Sequence, residues 1–500
     1  MPIINSIINW LNIKRLSQIE LFKKYPFEVQ KETLMRNLML AKDTVWGKKY
    51  KFNEIKDINE YQQRLPVVQY EDIKPLIDRL MAGEKDLLWP DVVRWFAKSS
   101  GTTADKSKFI PVSRESLEDN HYRGGRDTLV IYTKNYPDTG IFSGKGLTLG
   151  GSHQAVPFNN QTLYGDLSAI LIEQLPLWAD LIRTPRQKIA LMNDWEKKLD
   201  EITRTTITEN VTNIAGVPSW NLVLIKHILA YTGKRNLLEI WPNLELFTHG
   251  GVSFGPYREQ FEKLIPSKKM HYMETYNASE GFFAIQDDPL TNDMLLLLDS
   301  GIFYEFIPIT NERETGPCIS IGEVKTNVNY AMVISTNAGL WRYKIGDTVM
   351  FTSLYPHKIR ITGRTKHYIN VFGEELIIDN VENALSKACK LSNSVVSEYT
   401  VAPVYIETNK KGCHEWIIEF QNPPENIEYF TNVLDHALMS LNSDYEAKRF
   451  KNITLGPPLL TIVKSGTFYN WLKDKGKLGG QNKIPRLSND RRYADELLKK

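Results

Sequence analysis

Apolar residues recur at three- and four-residue spacing amid charges from Ser17 to Trp46 and again from Tyr61 to Leu80, the periodicity of amphipathic helices. The chain is predicted to open with helices. Met1 to Arg15 interleaves Ile and Trp with Asn and Lys and reads as another amphipathic helix; it has neither the unbroken apolar block nor the small-residue cleavage site of a secretion signal. Short apolar runs, Val92 to Ala97 and Phe109 to Val112, read as strands on either side of the cluster Ser99 to Thr103. Leu163 to Arg183 and Ala190 to Arg204 have helical spacing. Leu244 to Thr248, Ile319 to Val324 and Tyr330 to Thr336 have the continuous apolar character of buried strands. Such interleaving predicts an α/β domain. Beyond about residue 360 the texture changes. Shorter alternating strands, Thr400 to Glu407 and Glu415 to Phe420, stand between helices at Asn380 to Lys390 and Asn426 to Leu441, which predicts a separate small α+β domain.

Length and composition fix the class. At roughly 150 residues per domain, 500 residues exceed a single core, and the boundaries expected are 1–360 and 361–500 with a hinge near 360–366. With 42% hydrophobic and 24% charged residues the chain is globular. A net charge of +3, from 62 basic and 59 acidic residues, implies no nucleic-acid or anionic-membrane partner. The tail from Trp471 to Lys500 is locally basic, with nine Lys/Arg against four Asp/Glu, but no recognised nucleic-acid module accompanies it. Three cysteines, Cys318, Cys389 and Cys413, lie far from CxxC spacing, which excludes a disulfide framework and fits a reducing, cytoplasmic setting. Met294 to Leu298, the most apolar stretch, is too short to span a membrane.

Several loops carry candidate chemistry. In Ser99-Ser100-Gly101-Thr102-Thr103-Ala104-Asp105-Lys106-Ser107-Lys108, small donors and a glycine are followed by mobile positive charge, the set that a triphosphate requires. The Walker spacing is missing here, and Gly140 to Gly146 falls one residue short of it. Taken alone, such a loop is also an ordinary turn. In Tyr276-Asn277-Ala278-Ser279-Glu280-Gly281 an aromatic face can cover a purine, a hydroxyl can reach phosphate and a carboxylate can hold Mg²⁺. Upstream, His249-Gly250-Gly251 follows a strand and offers a wall of bare backbone, with His249 read as a packed or loop histidine. Asp347, after a glycine at the end of the apolar run Leu340 to Gly346, suits a bidentate hold on a ribose diol. Gly363-Arg364-Thr365-Lys366 sits at the expected hinge, where an arginine could close on an anion. Gln481-Asn482-Lys483-Ile484-Pro485-Arg486 lies in the basic tail. HExxH does not occur, so a zinc-protease reading has no motif.

The order of these loops resembles the successive core motifs of the adenylate-forming superfamily of acyl-CoA synthetases, luciferases and peptide-synthetase adenylation domains. Ser99 to Thr103, the Phe109-Ile110-Pro111 beyond it and the closing Gln481 to Arg486 are most similar to the acyl-acid amido synthetases, the auxin-responsive Gretchen Hagen 3 family, in a bacterial-type version. The resemblance implies a large N-terminal α/β domain, a smaller mobile C-terminal α+β domain, and a ligase that uses ATP and Mg²⁺. A carboxylic acid would become an acyl-adenylate with release of pyrophosphate, and an amine, an amino acid by analogy, would then displace AMP to form an amide. The partners implied are small molecules, with no nucleic acid and no membrane, and the chain is expected to be a monomer. Carried over, Ser99, Ser100, Gly101, Thr102, Thr103 and Lys108 would line the phosphates beside Gly250 and Gly251. Tyr276 would stack on adenine, Ser279 would contact the α-phosphate, Glu280 would bind Mg²⁺ and Asp347 would hold the ribose. Arg364 would reach ribose or phosphate from the hinge, and Lys483 would swing in to neutralise charge during adenylation.

The chain departs from the superfamily pattern in places. Ala104 and Asp105 replace glycines, Asn277 stands where many members have glycine, and Lys366 stands where many have the hinge aspartate. An acyl-CoA ligase ending in a thioester, or a non-catalytic acyl or nucleotide binder, are the alternatives. The acid and the amine are not legible.

Overall fold

The computed structural model describes the chain apart from residues 1, 100–107, 151–160, 176–178, 193, 252–253, 311–312, 365–367, 370–375, 405–411, 443–444, 447–448, 450–454, 479–483, 489 and 500. Two compact units are formed. The first contains Met1–Gly251 and Ile265–Ile361; the second contains Val252–Leu264, Thr362–Leu478 and Asn482–Lys500.

The first unit opens with the helices Pro2–Lys24, Pro26–Ala41 and Tyr70–Met81, as the periodicity predicts. In Tyr70–Met81 the buried residues Tyr70, Ile73, Ile77, Leu80 and Met81 make one apolar stripe, and Asp72 closes a capping box with Gln69. Gln30 is fully buried on the second helix. Its amide donates to the carbonyls of Leu298 at 2.7 Å and Ile302 at 2.8 Å and accepts from the Tyr304 N–H at 2.8 Å, so a polar side chain in the core costs little.

Behind these helices runs a long mixed sheet whose character changes partway across. Strands Lys145–Thr148, Val211–Gly216, Leu246–His249 and His271–Ala278 lie side by side and parallel. From His271–Ala278 onward the neighbours Gly281–Gln286 and Met294–Leu296 run antiparallel, succeeded by His357–Arg364, Tyr343–Leu354, Asn329–Thr336 and Ile302–Thr310. A smaller sheet pairs Trp95–Ser99 antiparallel with Lys108–Val112 and parallel with Leu163–Gly165.

Two sequence expectations need correction. Leu163 to Arg183 is not one helix: Leu163–Gly165 is a strand recruited by Trp95–Ala97, and helix begins at Leu167–Glu173. Ile319 to Val324 is a strand only at Ile319–Ser320. There Glu323 accepts from the Ser320 N–H and hydroxyl, each at 2.9 Å, and this local bonding turns the chain out of the sheet.

In the second unit Val395–Val404 and Cys413–Asn422 pair antiparallel, and Leu459–Val463 joins in parallel. Helix Ile378–Leu391 buries Val381, Ala384, Leu385 and Ala388 at helical spacing, and Ile427–Leu441 buries Phe430, Leu434, Ala437 and Leu438. Both helices supply, with Trp416 and Ile418 of the sheet, one apolar core. The small α+β expectation holds for this unit. Among the described residues, no helix is long and apolar enough to cross a membrane.

Candidate active site

Parallel strands place their carboxyl ends together, and ligands of α/β sheets bind at that edge. Strands Leu246–His249 and His271–Ala278 are parallel neighbours, with Thr248 opposite Met273 and His249 opposite Glu274. The loop residue Gly250 comes directly after. A Cβ there would lie 2.3 Å from the Thr275 carbonyl oxygen, so only glycine permits this approach, and Gly251 takes a left-handed φ of +82°. His249 is buried at the strand end, its ring 5.5 Å from that of Phe247, a packed histidine.

On the next strand the phenol of Tyr276 donates to Asp347 Oδ2 at 2.5 Å, in a buried bond between residues 71 positions apart. Its ring meets Phe283 edge-on at 4.8 Å. The sequence places Asp347 at the end of a strand; it lies inside one, Tyr343–Leu354. The ladder explains how it reaches Tyr276. Lys344 pairs with Val333 and Thr348 with Ala331, so Ile345, Gly346 and Asp347 together face Met332 alone. Gly346, at φ +90°, makes the bulge possible and re-aims the carboxylate.

Ser279 and Glu280 form the tight turn joining His271–Ala278 to Gly281–Gln286, with Ser279 buried and Glu280 partly exposed. Gly250 beside Thr275, Tyr276 bonded to Asp347, and the turn Ser279–Glu280 are therefore grouped around the carboxyl end of the strand His271–Ala278, with Gly251 following Gly250. A magnesium ion takes most of its oxygen ligands from water and substrate phosphates, and one turn carboxylate such as Glu280 suits it. Among the described residues no cluster of three or more His, Cys, Asp or Glu forms a self-sufficient metal cage.

Other sequence-predicted residues stand apart or outside the described set. Ser99 closes the strand Trp95–Ser99, and Ser100, Gly101, Thr102 and Thr103 lie outside the described residues. Lys108 begins the strand Lys108–Val112, its ammonium 5.5 Å from the centroid of the Tyr70 ring, a cation–π contact. Arg364 ends the strand His357–Arg364, and Lys483 lies outside the described residues. Pro485 and Arg486, just beyond Lys483, are held within the second unit: Thr400 donates to the Pro485 carbonyl at 2.6 Å, and the Val401 N–H to the Arg486 carbonyl at 2.9 Å.

The sequence reading missed Asn120 and His121, which contact the hairpin that carries Tyr276, Ser279 and Glu280. Burial pushes the His121 imidazole down to about 4, against the upward pull of Asn277, so the ring is neutral near pH 7. Asn120 and His121 end a run of four polar residues, Glu118 to His121, and nothing in the sequence sets them apart from the other two.

Family models match most of the chain: the GH3 family N-terminal domain at residues 15–270, the central domain at 295–364 and the C-terminal domain at 379–492. Among curated relatives, indole-3-acetic acid-amido synthetase GH3.3 of Arabidopsis thaliana is 24% identical, over 95% of this chain and 91% of that protein. The solved acyl acid amido synthetase AtGH3.15, in complex with 2,4-DB, superposes with a TM-score of 0.81 at 18% identity, covering 97% of this chain and 95% of its own. A 2-hydroxyisobutyryl-CoA ligase in its postadenylation state shares the fold at a TM-score of 0.61 and 12% identity, covering 94% and 92%. With its N-terminal model alone spanning more than half of the sequence, the chain belongs to the GH3 family.

Proposed function

We propose that this protein is an ATP-dependent acid–amine ligase. A substrate carboxylate oxygen attacks the α-phosphorus of ATP and pyrophosphate leaves; the amine nitrogen of an amino acid then attacks the acyl carbon, AMP leaves with the bonding pair, and an amide forms. The observation that carries this reading is the hydrogen bond from Tyr276 to Asp347 at the carboxyl edge of the sheet, beside the bare backbone of Gly250. It joins two of the motifs whose order marks the family. The relatives' activities, named as amido synthetases, supply the amide-forming second step.

In this reading the Tyr276 phenol orients the Asp347 carboxylate toward the ribose hydroxyls, while its ring flanks the adenine. Ser279 faces the α-phosphate, and Glu280 would hold Mg²⁺. When bound, that ion would neutralise phosphate charge as the pyrophosphate leaves. Ser99 to Thr103 and Lys108 would line the phosphates, and Arg364 and Lys483 would add positive charge. Positioning and charge stabilisation then supply the rate, with no covalent enzyme intermediate. The cytoplasm is the setting proposed, and the substrates are a small carboxylic acid and an amino acid.

Pyrophosphate release with ATP and Mg²⁺ across a library of carboxylic acids, then mass spectrometry with candidate amines, tests the reading. Glu280→Ala and Asp347→Ala are each expected to slow release by about 10²-fold or more in a folded protein, the scale of losing one preorganised electrostatic contact. Wild-type rates in both would defeat it. The fold shared with a CoA ligase favours one second reading, a thioester product. Coenzyme A as acceptor in the same assay decides between them.

A further inference from the structure

The hairpin that presents Ser279 and Glu280 is irregular one step from its tip. Tyr276 pairs with Ala284 but Asn277 with Phe282, so Phe283 is the extra residue of a bulge. Bulges disrupt the ladder locally, and buried backbone groups released from it must find partners elsewhere. Here the Phe283 carbonyl accepts from the Leu297 N–H at 2.8 Å, and one side chain from outside the sheet bonds both backbone groups of the adjacent Phe282. The Asn120 amide accepts from the Phe282 N–H at 2.7 Å and donates to the Phe282 carbonyl at 3.1 Å, while the same NH₂ reaches the Ser300 carbonyl at 3.0 Å. One amide thus imitates a neighbouring strand.

Asn120 is only 1% exposed and lies in a π-helical turn, Leu117–His121, a distortion that recurs near functional sites. The next residue, His121, turns its buried imidazole toward Asn277, the ladder partner of Phe282. Asn120 thus bonds one strand of the hairpin at this rung, and His121 lies beside the other. The helix beyond them docks without a spacer, since a Cβ at Gly124 would lie 2.4 Å from the Phe282 ring.

We propose that Asn120 is the positioning residue for the phosphate side of the site: by holding both backbone groups of Phe282 it fixes the turn that aims Ser279 and Glu280. This rests on the roles given to Ser279 and Glu280 above. The adenosine side has a further restraint of its own, because Tyr276 and Asp347 are also fixed by their mutual bond and by the bulge at Gly346.

Calorimetric binding of two ligands, ATP with Mg²⁺ and adenosine alone, tests this without turnover when no acid is present. Asn120→Asp keeps the acceptor for the Phe282 N–H and loses the donor to the two carbonyls. It is expected to weaken ATP–Mg²⁺ by about tenfold or more and adenosine by less than about twofold, the scale of unsatisfied buried carbonyls. Gly281→Ala should give the same selective loss from the opposite side, since its Cβ would lie 2.5 Å from Ile302 and 3.3 Å from Asn120 Oδ1. Should Asn120→Asp fail to fold, Gly281→Ala decides the matter. Equal weakening of both ligands, or no weakening, overturns the positioning role when Glu280→Gln shows its own selective loss for ATP–Mg²⁺. No loss in Glu280→Gln overturns the site reading, and this inference with it.

Discussion

Two buried arginines, one in each unit, lie inside sequence motifs and near proposed functional residues, yet their surroundings differ. Arg342, five residues before Asp347, grips Glu305 through Nε at 3.0 Å and Nη2 at 2.9 Å and caps the carbonyls of Gln62 and Leu65 through Nη1. It ties one sheet to the helix beside it. Arg486, three residues after Lys483, donates to Glu398 at 2.5 Å, to the Tyr399 carbonyl at 3.0 Å and to the Tyr257 hydroxyl at 2.6 Å, with its guanidinium 4.6 Å from the Tyr399 ring centroid. Its partners come from chain segments more than a hundred residues apart. Both arginines join distant segments, Arg342 with partners 280 and 37 residues away and Arg486 with partners 229 and 88 away. Arg342, however, faces a carboxylate that is fully buried and Arg486 one that is partly exposed.

The largest effect should come from breaking the first. Arg342→Met leaves Glu305, whose side chain is 0% exposed, without its counter-charge, and is expected to destabilise the first unit by about 3–5 kcal/mol. Hydrogen exchange over peptides 302–310 and 329–336 reads this, and a loss under about 1 kcal/mol would show the pair to be dispensable. Arg486→Met should cost the second unit somewhat less, about 3 kcal/mol, because burial already pushes the Glu398 carboxyl up and lets it become neutral. Faster exchange should then reach peptide 255–264. Arg486→Lys should not restore protection, since an ammonium cannot reproduce the planar fork.

Acid sharpens the contrast through opposite signs. His357 in the first unit, like His121, is pushed by burial to about 4. A lowered histidine contributes stability that is present above its ordinary value near 6.5 and lost as pH falls through 4, here on the order of 3 kcal/mol in all. Glu398 is raised, so its contribution is present below the ordinary carboxylate range and lost as pH rises through the raised value. Melting at pH 7 and pH 5 should show His357→Gln reducing the acid loss of the first unit and Glu398→Gln removing the acid gain of the second. The smallest effect belongs to an exposed pair. Lys74 and Asp78, one helical turn apart and both about half exposed, should contribute less than about 0.5 kcal/mol when Lys74→Ala is compared with wild type.

Helices such as Tyr70–Met81 were legible because their periodicity is set by their own residues. Leu163–Gly165 was not, because its strand state is imposed by Trp95–Ala97 across the sheet. The same division runs through the site. Gly250, Tyr276, Ser279 and Glu280 could be named from local chemistry. The bulge that turns Asp347 toward Tyr276 is a property of register, visible only once Val333 and Ala331 are opposite. Asn120 carries no motif, and its meaning lies in the Phe282 backbone, 162 residues away.

Helix Gly255–Leu264 sits between two strands of the first unit in sequence, yet it is part of the second, where Gln260 donates to the Val396 carbonyl at 3.1 Å and Tyr257 receives Arg486. A fragment cut at the boundary after Ile361 would leave this helix behind. The smaller unit would then expose the floor on which it rests, together with a carboxyl group and an arginine no longer shielded from water. Excision at a linear boundary therefore yields an incomplete body, and shuffling of this unit between proteins would require carrying an internal stretch of the larger one along with it.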